Sequence, residues 1–107
     1  MVARVTEPGR PGFQLRKGEE GLSVFDLDAV DPPLTEAEIL ASFRPESQAI
    51  SRSLPELEAG GLSLFPIPGA GPLPPRLRDA HAEIRPGPGM TRPQFKQALK
   101  ELDSHGT

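Results

Sequence analysis

The amino-acid sequence predicts a small mixed α+β domain in which short strands and short helices alternate. Three observations carry that expectation. The chain is 107 residues long, close to the usual size of one domain. Its apolar residues make up 36% and follow two periods, two residues in some segments and three to four in others. Its 14 prolines and 11 glycines fall between those periodic segments, where they act as breaks. One core is expected over about residues 1–103, with a short tail at 104–107.

The first strand is read at Val2 to Thr6, and Pro8, Gly9, Pro11 and Gly12 then turn the chain. Gly21 to Phe25 alternates, with Leu22 and Val24 on one face and Ser23 and Phe25 on the other, which predicts a second strand. Thr35 followed by Glu38 forms a capping-box pattern ahead of Ile39, Leu40 and Phe43, so a helix is expected over 35–43, before Pro45. Ala49 to Arg52 reads as a third strand, and Ser53, Pro55 and Glu56 open a helix that ends at Gly60-Gly61. Leu62 to Pro68 is strand-like, 72–80 carries a helical turn, and His81 to Ile84 is the last strand. The final helix begins at Thr91 and shows Phe95, Ala98, Leu99 and Leu102 as one apolar stripe, with Lys96, Lys100 and Glu101 outside it. The expected core is Phe25, Ile39, Leu40, Phe43, Phe65, Ile84, Phe95, Leu99 and Leu102.

Composition narrows the function classes. Fifteen acidic against twelve basic residues give a net charge of −3, which provides no overall basic field for nucleic acid or an anionic membrane. No cysteine is present, so disulfides, thiol nucleophiles and thiolate zinc sites are excluded. A cytoplasmic location is expected, since the N-terminal stretch lacks the apolar run of a signal peptide and no 18-residue apolar segment occurs. Asp26, Asp28 and Asp31 lack the glycine and final glutamate of a calcium loop, and Gly69-Ala70-Gly71 and Gly87-Pro88-Gly89 fit no phosphate-loop pattern. Two histidines, His81 and His105, are too few for a three-histidine zinc site, so no metal is expected.

Among the remaining candidates, His81 and Glu83 stand two apart on a predicted strand and so share a face. Spacing leaves two readings open: a pair serving an active site, or the wet side of an amphipathic strand whose Ala82 and Ile84 face the core. Ser23 is likewise either a site residue or a hydroxyl satisfying local backbone, and Arg4 either a ligand contact or an outward strand residue.

Four segments taken in order carry a resemblance. Gly21-Leu22-Ser23-Val24-Phe25-Asp26, Phe65-Pro66-Ile67-Pro68-Gly69, Leu73-Pro74-Pro75-Arg76-Leu77 and Ala80-His81-Ala82-Glu83-Ile84-Arg85-Pro86, followed by Met90, resemble the type VI secretion effector toxins with an ADP-ribosyltransferase-like fold. That family has a Gly-Thr-Ser-Val-Phe-Asp strand, a Pro-Pro-x-Leu turn and a Thr-His-x-x-Ile-x-Pro segment before a last helix. This chain departs from it at Leu22 and Ala80, where the family pattern has threonine, and residues 31–61 match no part of it.

The resemblance implies two small sheets, with three to four short helices, around a cleft for NAD. It implies Arg4, Ser23 and His81 as dinucleotide contacts, with Ser23 and His81 in the catalytic set; Glu83 is added to that set not from the family pattern but because it shares the predicted face of His81. The implied function is that of a toxin-like protein which cleaves NAD and transfers ADP-ribose to an intracellular protein target, after delivery into the cytosol of a target cell. A cognate immunity or antitoxin protein is the implied partner. The alternative is a non-catalytic protein-binding module, or a degenerate relative of that fold, partnered with a small cognate protein.

Overall fold

Five strands and four α-helices make up the computed structural model, which describes residues 1–69 and 71–104. The strands are β1 (Val2–Thr6), β2 (Leu22–Asp26), β3 (Gln48–Arg52), β4 (Leu62–Pro66) and β5 (His81–Pro86). The helices are α1 (Glu36–Leu40), α2 (Leu54–Ala59), α3 (Pro75–Ala80) and α4 (Arg92–Ser104), with a single 3-10 turn at Leu27–Ala29. The expected His105 lies outside the described residues, as does the tail beyond Ser104.

The strands form one antiparallel sheet in the order β3-β1-β2-β5-β4, which corrects the expectation of two sheets. The reason is the β2–β5 ladder, where Leu22, Ser23, Val24 and Phe25 oppose Ile84, Glu83, Ala82 and His81. This ladder joins the β3-β1 pair to the β5-β4 pair. β1 and β2 themselves pair only at Val2↔Asp26 and Ala3↔Phe25. Beyond that point the Arg4 side chain stands between the strands, its Nη1 donating to the Ser23 carbonyl at 2.8 Å.

Both faces of the sheet are covered by apolar side chains. On one face Leu22, Val24, Ala82 and Ile84 pack with Leu57 of α2 and Phe95, Leu99 and Leu102 of α4. On the other, Ala3 and Phe25 pack with Ile39 of α1 and with Leu77 and Ala80 of α3. Phe13 and Leu15, from the loop between β1 and β2, are also buried in the first layer. That loop is pinned at Asp103, whose Oδ1 accepts from the Gly12 and Phe13 amides at 3.0 and 3.2 Å. Buried Arg52 completes the knot. It donates to the Leu102 and Asp103 carbonyls at the end of α4, and its guanidinium lies 5.4 Å above the centre of the Phe13 ring.

Helix caps follow the sequence pattern with one change. Ser53 and Glu56 form the full reciprocal box of α2, and Thr91 with Gln94 does the same for α4. Thr35 accepts from the Glu38 amide, but the Glu38 carboxylate turns away to Arg76 on α3, at 2.7 Å. Hydrogen bonding by Arg76 holds the Glu38 carboxyl below its usual value, partly offset by desolvation. The stabilisation from this contact is therefore present above the ordinary glutamate pKa and is lost as pH falls through the lowered folded value. Exposure and solvent screening keep it small.

Two expected core residues are corrected. After Leu40 the backbone tightens into i→i+3 bonds, Ser42 to Ile39 and Phe43 to Leu40, so Phe43 leaves the apolar phase and is 37% exposed. Phe65 is 45% exposed because it lies on edge strand β4, where Arg85 rather than a helix covers its ring, 4.8 Å from its centre. Leu40 is half-buried, while the other six expected core residues are buried.

Backbone approach decides one glycine. A Cβ at Gly87 would fall on the Gly61 carbonyl oxygen, and Gly61 sits at φ +77°, so neither side of the contact can yield cheaply. Gly87→Ala is expected to cost about 1–3 kcal/mol of stability, in the range of overpacked sites. Thermal unfolding followed by circular dichroism checks it, and an unchanged Tm would show that the end of the β4–β5 pair can open.

Candidate functional site

His81 sits where α3 gives way to β5, so its backbone is held by both elements. Its main-chain carbonyl accepts from the Ile67 amide at 3.0 Å, and its Nδ1 lies 2.9 Å from the Ile67 carbonyl. A carbonyl oxygen can only accept, so this contact calls for the proton on Nδ1, the tautomer whose free ring nitrogen is Nε2. The ring stands edge-on to Phe25, with centroids 5.8 Å apart, and Phe25 meets Phe43 at 6.1 Å in the same manner.

These three rings border a cleft of about 560 Å³, within the common range for small-ligand sites. Ser23, Ser47 and Thr6 bring hydroxyls to it. Four of the nine arginines of the chain, Arg4, Arg10, Arg16 and Arg44, also line it, against one lining carboxylate, Glu7. In a protein with a net charge of −3 this is a local reversal of sign, and it creates a positive focus inside a concave surface. Arg10 stands 3.6 Å from Glu7 in an exposed pair. Arg4 is half-buried and donates to the neutral carbonyls of Gly12 and Ser23, which supply no compensating charge. Burial lowers its guanidinium pKa, Glu19 acts in the opposite sense, and nearby Arg16 adds to the lowering.

The expected site residues fall into place unevenly. Strand register puts Ser23 opposite Glu83 and Phe25 opposite His81, so Ser23, His81 and Glu83 share one face of the sheet. Directly opposed Cβ atoms on such strands are about 4.5–5.5 Å apart. Ser23 and His81 line the cleft, whereas Glu83 lines an adjoining, more open depression of about 830 Å³ that also touches Ser23. Ser23 is thus the junction between the two hollows. The Glu83 Oε1 accepts from both Nε and Nη2 of Arg85, at 3.1 and 3.0 Å. It also lies so close to the Gly21 backbone that a Cβ there would come within 2.9 Å. Arg4 belongs to the cleft but is engaged with the backbone, where it spaces β1 from β2.

Sequence reasoning missed Arg10, Arg16 and Arg44 as site residues, and it placed Phe43 in the core. Arg10 and Arg16 stand in an aperiodic loop, and Arg44 follows the end of α1, so no spacing signal marks them. Among the described residues there is no group of three metal-ligating side chains, and no helix is long and apolar enough to cross a membrane. No protein-family model, curated protein or solved structure matches the chain.

Proposed function

We propose that the cleft binds an NAD-type dinucleotide, and that the protein is a toxin-like enzyme with an ADP-ribosyltransferase-type activity. The single observation that carries this reading is the convergence of four arginines, two phenylalanine rings, His81 and the Ser23 hydroxyl on one concavity. Guanidinium groups suit pyrophosphate oxygens through charge-assisted, paired hydrogen bonds. The exposed Phe43 ring is available to a flat base, and the buried Phe25 supports it edge-on from behind.

In this reading the nicotinamide riboside end lies across Ser23, the residue that both hollows share. The bond from ribose C1′ to the nicotinamide nitrogen breaks with its electron pair going to nicotinamide, which leaves neutral. Positive charge develops on the ribose, and Glu83 is the anionic group nearest to Ser23 across the strands, oriented by Arg85. A nucleophile on a protein target then bonds to C1′ and gives up its proton to solvent. His81 offers Nε2 as an acceptor for a ribose hydroxyl. A cognate immunity or antitoxin protein would act by covering the cleft, in the cytosol where NAD is found.

A second reading, a binding module without catalysis, is favoured by one observation: the Glu83 carboxylate is engaged with Arg85 and lies outside the cleft lining. One experiment separates the two. The full chain is titrated with NAD by calorimetry, then incubated with NAD while free nicotinamide is followed by NMR. Binding with nicotinamide release is the expected result, and His81→Ala should weaken the binding. Binding without release, with cell-lysate proteins present as acceptors, would overturn the transferase reading, and the absence of NAD binding would reject the dinucleotide reading and leave the non-catalytic protein-binding module.

A further inference from the structure

The cleft carries more positive charge than a pyrophosphate alone requires. Its four arginines exceed its one lining glutamate by three charges; Glu7 partly balances Arg10, and Glu19, outside the lining, acts on Arg4. A pyrophosphate diester brings one negative charge per phosphate, and the nicotinamide ring of NAD takes one of those back. The arginines are also spread out. Arg4 bonds to β2 through the Ser23 carbonyl, whereas Arg44 and Ser47 belong to the turn that leads into β3, on the opposite side of β1. With neighbouring strands about 4.7–4.9 Å apart, β2 and β3 are separated by about 10 Å. Guanidiniums flanking β1 on both sides thus address two anionic positions.

We infer that the cleft selects a dinucleotide bearing an additional phosphomonoester on a ribose, with Arg44 and Ser47 as the pocket for that third phosphate. The inference rests on the dinucleotide reading above. A phosphomonoester adds about −1.5 to −2 charge at neutral pH, which matches the excess on the rim. Arg44 is exposed and can reorient its planar fork onto phosphate oxygens, and the Ser47 hydroxyl can donate to the same group. Arg4, whose burial leaves its charge poorly compensated, is then served by the pyrophosphate, so that each anionic position has its own cation.

The test is calorimetric titration of the full chain with NAD and with NADP at matched ionic strength. NADP is expected to bind about tenfold or more tightly than NAD, equivalent to about 1.4 kcal/mol. The preference should shrink as salt is raised, because the rim is open to solvent. Arg44→Ala, at an exposed position, should weaken NADP more than NAD and so bring the two affinities together, and circular dichroism confirms its fold. Equal affinities, or tighter binding of NAD, would overturn the inference and leave the dinucleotide reading standing. A preference that survives in both Arg44→Ala and Ser47→Ala would overturn the assigned pocket. Binding of neither nucleotide would remove the reading and the inference together.

Discussion

Phe95→Ala is expected to lower stability by about 3–5 kcal/mol, the range for removing a buried aromatic ring. Phe95 is 2% exposed and lies in the apolar layer that α4 shares with Leu22, Val24 and Ile84. Domains of this size hold only about 5–15 kcal/mol in total, so the loss is a large share of what keeps the chain folded. Urea or thermal unfolding followed by far-ultraviolet circular dichroism suits a protein that has neither tryptophan nor tyrosine. A fall in Tm by more than about 10 °C is the expected reading. An unchanged Tm would mean that α4 does not pack on the sheet in solution. Lys96→Ala and Lys100→Ala serve as controls, since both side chains are exposed on the outer face of the same helix.

Glu83→Gln is expected to slow nicotinamide release by about 10²–10³-fold, the usual loss when one electrostatic stabiliser of a transition state is removed, about 2.7–4 kcal/mol of barrier. The amide keeps the volume that packs against the Gly21 backbone and withdraws only the charge. Dinucleotide affinity should therefore change little, because the arginine cleft is untouched. The contrast with His81→Ala, which should weaken binding, distinguishes the two roles. Retention of the full rate in Glu83→Gln would remove the depression beside Ser23 from the site.

Much of the secondary structure was legible because its causes are local. β1 was readable from five consecutive residues, and β2 from the alternation of Leu22, Ser23, Val24 and Phe25, whose two faces do enter the two apolar layers. The Ser53 and Glu56 pattern needs only residues three apart, and it produced the cap that it predicts. The stripe of Phe95, Ala98, Leu99 and Leu102 is set by helical period alone, and all four are buried. Ser23, His81 and Glu83 share a face for the same reason, since His81 and Glu83 are two apart and the strand alternates; only the register of β2 against β5 brought Ser23 opposite Glu83.

By itself, then, the sequence determined where strands and helices lie and, for β2, β5 and α4, which side is apolar, because period and capping depend on neighbours two to four residues away. The tertiary structure alone decided how those pieces meet. The union of the strands into one sheet depends on the β2–β5 ladder, between residues about sixty positions apart in the chain, and no local period encodes such a pairing. Phe13 and Leu15 are buried because Asp103 and Arg52 hold an aperiodic loop against α4, while Phe65 stays exposed because no helix covers its end of the sheet. Arg4, Arg10, Arg16 and Arg44 become one electrostatic feature only when β1, its following loop and the turn before β3 close around a common hollow. Charges scattered along a chain have no joint effect until folding brings them within the short range over which solvent leaves their fields unscreened.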